Sequence, residues 1–195
     1  MSSKPAAAHE HPKHSSEKEV GAKVWLIGRS YATQIERKVV SRGGQGSSLG
    51  QVVTLMHRHG SEIDGWIAEL PDEDESALTD EVIHRCVHVH GRLVRLLGRI
   101  TYKRQSARSF ASKYMHFHRS IVPVYDSVAT LALSKLVRWK SAFDTKAISE
   151  PEDVTYRQFV LHLRQLGGQA RQSGAQPSVR ALDWYLMEEA ERLRP

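Results

Sequence analysis

The chain has few of the features on which secreted and membrane-bound proteins rely. Its 195 residues include one cysteine, Cys86, which excludes an intramolecular disulfide and a thiolate metal cluster. Cys86 falls in an apolar helical pattern, so we expect it to pack in the core rather than act as a nucleophile. No apolar run approaches the roughly 18–20 residues of a membrane span, and the N-terminus lacks the apolar stretch of a signal peptide. We therefore expect a cytoplasmic protein with no membrane partner.

Carboxylates are missing from one long segment. Residues 82–125, 44 in all, contain no Asp or Glu but carry nine Lys/Arg and five His. Of the 28 Lys/Arg in the chain, 19 lie outside this segment against 22 acidic residues, so the formal charge of +6 arises within it. A field of one sign attracts polyanions, because neutralised phosphates release condensed counterions. The segment therefore predicts a surface that binds nucleic acid.

Several of these cations recur at three- and four-residue intervals along a predicted helix, which would place them on one face as a basic ridge. The alternative is a solvated face that binds nothing, but such faces usually mix charges of both signs. We therefore favour anion binding. The ridge consists of Arg92, Arg95, Arg99 and Lys103, and the further candidate nucleic-acid-binding residues are Arg104, Arg108, Lys113 and Arg119.

Helical periodicity runs through most of the chain, and no stretch shows the period-two alternation of a strand. Residues 1–19 are small, polar and charged, so we expect a disordered tail in which His9, His11 and His14 have no fixed geometry. Residues 20–195 are expected to form a single all-α domain of six or seven helices. The predicted helices cover approximately residues 23–40, 49–70, 80–100, 105–118, 126–137, 155–166 and 178–193.

No motif for a cofactor or a metal is present. The glycine-rich stretch 41–50 lacks the Lys-Ser/Thr ending of a phosphate-binding loop, and no buried strand precedes it. His84 and His88 share a helix face, but no glutamate completes a metallohydrolase signature. We expect no cofactor and no metal.

Residues 111–137, ASKYMHFHRSIVPVYDSVATLALSKLV, resemble the C-terminal half of the helix-hairpin-helix core of base-excision DNA glycosylases. In that superfamily a helix with a small Ala leads into a short apolar loop, and Pro-x-x-Asp opens the next helix. Pro123 and Asp126 match this pattern. The resemblance implies DNA as the partner and a catalytic role for Asp126, whose carboxylate would stabilise positive charge developing on the sugar. The Gly-rich hairpin is absent at 102–106, and Ser109 replaces the Schiff-base Lys, so lyase chemistry is not expected.

The residues around Asp126 leave two interpretations open. An Asp before a helix also acts as an N-cap, worth about 1 kcal/mol, and this role is compatible with facing a ligand. Tyr114, His116 and Tyr125 are candidates to contact a base, although aromatic residues at this helical spacing more often belong to the core.

Two other classes of function compete with a glycosylase. The first is a non-catalytic helical protein that binds nucleic acid or a partner on a similar scaffold, since a fold does not determine a function. The second is a helical ribonuclease-like protein, because Arg85 and His90 have the Arg-x-x-x-x-His spacing of such enzymes in toxin and antiviral systems. An Arg and a His at this spacing also occur by chance in a basic helix.

Overall fold

The prediction of an all-α domain is confirmed. A computed structural model describes residues 13–30, 33, 35–40, 47–71, 78–103, 107–138 and 152–192. One isolated antiparallel bridge, between Val39 and Thr101, is the β pairing within these residues. They form eight α-helices and a 3-10 helix at Ile35–Lys38: α1 Glu17–Ser30, α2 Ser48–Arg58, α3 Gly60–Ala68, α4 Asp80–Leu97, α5 Arg108–His118, α6 Ser127–Leu136, α7 Val154–Gln172 and α8 Val179–Arg192.

The first described helix begins before the predicted domain boundary at residue 20. Residues 1–12 lie outside the described part of the chain, but α1 already begins at Glu17 and the His14 side chain is buried. Val20, Val24 and Ile27 form the buried face of α1. The low apolar content of residues 1–19 gave no indication of this earlier start, because His14 is held in place by polar groups of other helices.

The helix predicted over 49–70 is divided into α2 and α3 at His59. A Cβ atom at Gly60 would lie 2.7 Å from the Cβ of His14 and 2.8 Å from its carbonyl oxygen. Only glycine allows the N-terminal segment to pass so close to the start of α3. The break therefore brings residues 13–16 against α3, and it raises the helix count to eight.

Helix α4 has buried residues along most of its length. Thr79 caps it by accepting a hydrogen bond from the Val82 amide (3.2 Å). Cys86 is buried within it, as predicted. After Leu97 the α-helix ends and the chain continues in turns. The amide of Tyr102 then donates to the carbonyl of Lys38 (3.0 Å). The basic ridge was therefore predicted one turn too long, because pairing with the segment after the 3-10 helix draws Lys103 away from the α4 face.

The second half of the chain follows the predicted helix, loop and helix over 108–136. Helix α7 extends to Gln172, although 167–178 was predicted to be a link. Gly167 is buried and a Cβ there would lie 3.2 Å from the Leu182 side chain, so the glycine serves packing against α8 rather than a turn. None of the described helices has the length and apolar character needed to cross a membrane.

Candidate nucleic-acid interface

A groove between α3 and α4 contains the three arginines predicted to form the ridge. It has a volume of about 330 Å³, and we call it the arginine groove. On each helix the lining residues follow the helical repeat, so a single face of α3 opposes a single face of α4. The lining residues are Glu62 and Trp66 from α3 with His88, Arg92, Arg95 and Leu96 from α4, and Arg99 from the turn after it.

Cations dominate the groove but acidic residues border it. The Arg92 guanidinium pairs with Glu69, at the end of α3, with 2.5 Å between Nη1 and Oε1. Both side chains are partly exposed, and such pairs contribute at most about 1 kcal/mol, so water or an anion can compete for the arginine. Arg95 is exposed. Three guanidinium groups and the carboxylate of Glu62 line the groove, and Glu69 pairs with one of the three guanidinium groups at its border.

His59 connects the two walls of the groove. The Arg99 guanidinium donates to His59 Nε2 (3.1 Å), and His59 Nδ1 lies 2.8 Å from Glu62 Oε1. Because arginine can only donate, Nε2 must be the acceptor and Nδ1 must carry the proton that is shared with Glu62. In this arrangement the His59 ring accepts from Arg99, donates to Glu62 and thereby orients the Arg99 side chain.

His88 sits at the other end of the groove. Burial, followed by the positive charge of Arg92, lowers the pKa of His88 below its ordinary value. Its ring stacks against that of His84, with 5.8 Å between the centroids. The shared helix face predicted for these two histidines is present, and no cluster of three or more metal-ligating side chains occurs in the described residues.

Four of the other predicted phosphate contacts are not among the described residues that line the arginine groove. Lys103 is exposed beyond the end of α4, and Arg104 lies outside the described residues. Arg108 donates through Nε to Asp153 Oδ2 (2.6 Å), and Arg119 donates to the carbonyl of His118 (3.1 Å). Lys113 is 5% exposed, so its amine is held inside the protein. Of the eight predicted cations, the groove brings together Arg92, Arg95 and Arg99.

Asp126 is the N-cap of α6. Its Oδ1 accepts from the Ala129 amide (2.8 Å), and its Oδ2 lies 3.1 Å from the Lys113 ammonium. Asp183 is nearby: burial raises its pKa well above the ordinary value, and the charge of Asp126 adds to this shift. One oxygen of Asp126 thus caps α6, and the other joins α6 to α5 through Lys113. Asp126 is not among the described residues that line the arginine groove.

The three predicted base-contacting residues are turned into the protein. Tyr114 is fully buried. His116 donates through Nδ1 to the carbonyl of Val122 (2.8 Å), and burial lowers its pKa. Tyr125 is half-buried with its ring edge-on to Phe159 at 5.3 Å. Tyr114 therefore belongs to the core and Tyr125 packs against it, the other possibility that had been left open for these two aromatic residues.

Arg85 and His90, the pair with ribonuclease-like spacing, are not brought together. Five residues correspond to about 500° of helix rotation, so the two side chains point about 140° apart. Arg85 is exposed and pairs with Glu81, whereas His90 is fully buried and stacks on Tyr156 at 3.7 Å.

A buried polar chain around His14 was not predicted from the sequence. His14 Nδ1 lies 2.6 Å from Asp64 Oδ1, and its Nε2 lies 2.6 Å from the hydroxyl of Tyr114. A carboxylate only accepts, so neutral His14 donates from Nδ1 and accepts the Tyr114 proton at Nε2. Burial lowers the pKa of His14, although Asp64 opposes the shift. This chain joins the N-terminal segment to α3 and α5.

Two further basic side chains, Lys23 and His118, lie beside the same chain. Lys23 donates to the carbonyl of Lys13 (2.6 Å), and burial lowers its pKa to about 8. The His118 ring lies 5.6 Å from that of His14, and burial lowers its pKa well below the ordinary value. The isolated Gly60 between two helical patterns was the one sequence signal of this close packing. The order Asp-His-Tyr suggests a proton relay, but complete burial of Tyr114 favours an anchoring role.

Comparisons of the chain with protein families, with curated proteins and with solved structures find no match. A functional interpretation therefore depends on the geometry of the groove and of the buried clusters.

Proposed function

We propose that the protein binds nucleic acid through the arginine groove. The observation that supports this most strongly is the convergence of Arg92, Arg95 and Arg99 with an indole in one open groove. Guanidinium groups form bidentate hydrogen bonds to phosphate oxygens, and an indole offers a face on which a base can stack. Solubility alone requires neither the absence of carboxylates from residues 82–97 of α4 nor the neighbouring aromatic ring.

The bordering carboxylates are compatible with phosphate binding. The pair between Arg92 and Glu69 is partly solvated, so a phosphate can replace Glu69 at small cost. Arg99 is oriented by the neutral His59, which leaves the positive charge of its guanidinium uncompensated by that contact. The groove thus carries a net positive charge that a polyanion would neutralise, with release of counterions.

Binding without base excision is the function that the geometry supports best. Base-excision chemistry at Asp126 would need a nucleotide held by the arginines to reach that carboxylate. Asp126 lies apart from the groove and uses both oxygens for the α6 cap and the Lys113 pair. We therefore favour a helical nucleic-acid-binding protein over a glycosylase.

Charge reversal within the groove tests this proposal. Arg95→Glu and Arg99→Glu should each weaken binding of a labelled oligonucleotide by at least tenfold, because each removes a phosphate contact and adds a repulsive charge. Arg192→Glu is the matched control: Arg192 is exposed on α8, and its reversal makes the same change in net charge. Fluorescence anisotropy at fixed salt gives the dissociation constants. Equal losses in all three variants would attribute binding to net charge alone and contradict the groove as the site.

A further inference from the structure

The charges of the arginine groove are divided between its two walls. The α4 wall supplies Arg92 and Arg95, and the turn after it supplies Arg99; the eight residues 92–99 extend about 10 Å at the rise of a helix. The α3 wall supplies Glu62 and, one turn later, Trp66. Phosphates are therefore attracted to the α4 wall and repelled from the Glu62 end of the α3 wall. A bound nucleotide would direct its backbone toward α4 and its base toward α3.

Trp66 is the group on the α3 wall that a base would meet. It is partly buried, with one part packed on the core and another part lining the groove, so its ring is held in place before a ligand arrives. Stacking on such a ring requires an uncovered base face. In a duplex both faces of an internal base are covered by its neighbours, whereas an unpaired base can leave the strand and stack.

The size of the groove agrees with an unpaired nucleotide. A volume of about 330 Å³ lies at the lower end of the range for small-molecule sites, and it is suited to one nucleotide rather than to a helix of paired strands. The phosphates of a duplex could contact the arginines, but no base of the duplex could stack on Trp66.

We propose that the ligand of the arginine groove is single-stranded nucleic acid, with phosphates on the arginines of α4 and one base stacked on Trp66. This inference rests on the proposed function and specifies its ligand. It assigns Trp66, rather than Tyr114 or Tyr125, as the base-contacting aromatic residue. Binding is expected to tolerate different base sequences, because every base has a face that can stack.

Three labelled probes of equal length test the inference with the unaltered protein: a single-stranded DNA oligonucleotide, the same strand with abasic sites in place of its bases, and the corresponding duplex. The intact strand should bind about tenfold more tightly than the abasic strand, since stacking on an aromatic residue is worth about that factor per base. It should also bind more tightly than the duplex. Equal affinity for intact and abasic strands, or tighter binding of the duplex, would overturn the inference.

Trp66→Leu should remove the difference between intact and abasic strands while leaving abasic binding unchanged, and Trp66→Phe should restore part of it. Trp184→Leu is the control, because Trp184 is 64% exposed on α8 and lies outside the groove. If Trp66→Leu lowers both affinities equally, the indole supports the fold rather than the base. Salt-dependent binding with equal affinity for intact and abasic strands would overturn this inference and leave the proposed function standing. Failure of all three probes to bind would refute both.

Discussion

Protonation of the buried His90 should couple stability to pH. His90 is fully buried on α4, its Nε2 donates to the carbonyl of Arg108 (3.1 Å), and its Nδ1 has no hydrogen-bond partner among the described residues. Burial lowers its pKa from 6.5 to about 4, despite the favourable charge of Asp153. An added proton at Nδ1 would therefore be placed in the interior without an acceptor.

The sign and size of the effect follow from the two pKa values. Below a pH of 6.5 the unfolded chain takes up a proton at this position, whereas the folded protein does so only near a pH of about 4. The free energy of unfolding should therefore fall as pH drops through this window. At about pH 5 the loss from His90 alone is about 2 kcal/mol, at 1.36 kcal/mol per unit of pH.

Urea unfolding at about pH 7.5 and about pH 5 measures this loss. His90→Gln, which cannot titrate, should show a loss smaller than that of the parent by about 2 kcal/mol, while the other buried histidines contribute equally to both proteins. His84→Gln is the control, because His84 is 69% exposed. Parallel pH dependences for the parent and His90→Gln would refute the reasoning.

Three substitutions test, by urea unfolding, the packing around His14 and the ion pair between Lys113 and Asp126. His14→Ala should lower the free energy of unfolding by about 2–3 kcal/mol, since it leaves the buried Tyr114 hydroxyl and the partly exposed Asp64 carboxylate without their hydrogen bonds, whereas His84→Ala, at an exposed side chain, should change it by less than about 0.5 kcal/mol. An unaffected His14→Ala would show that the N-terminal segment is not anchored. Gly60→Ala should cost about 1–3 kcal/mol, because its Cβ would collide with His14; a neutral result would argue against that close approach. Asp126→Asn should cost about 2 kcal/mol while keeping a capping oxygen, since the buried Lys113 loses its carboxylate, and unchanged stability would contradict the ion pair.

Helix positions were predictable from the sequence wherever apolar residues repeat with helical spacing. Helices α4 and α8 are examples, because the repeat that defines each helix also defines its buried side, whereas the helix predicted over 23–40 lies at Glu17–Ser30. The close approach of His14 to Gly60 and the continuation of α7 through Gly167 were not predictable. In both cases the glycine packs closely against a residue that is distant in the sequence, His14 for Gly60 and Leu182 for Gly167. The spacing of nearby residues cannot reveal such a contact.

The acid-free segment illustrates a limit of charge patterns. Arg108 and Lys113 have no acidic neighbour within the segment, yet Asp153 and Asp126 pair with them from other parts of the chain. Separation of charge along the sequence therefore does not ensure separation in space. The arginines at 92, 95 and 99 were identified correctly as sharing a face, whereas Trp66 was not identified, because the opposite wall comes from another helix.

The salt dependence of binding tests the central claim most directly. The logarithm of the association constant for a single-stranded oligonucleotide should fall linearly with the logarithm of salt concentration, with a slope of about −2 for three phosphates held by Arg92, Arg95 and Arg99. Arg95→Gln should make that slope shallower by about 0.7, the contribution of one phosphate on a single strand. A slope near zero, or the same slope in the parent and in Arg95→Gln, would contradict nucleic-acid binding by the arginine groove.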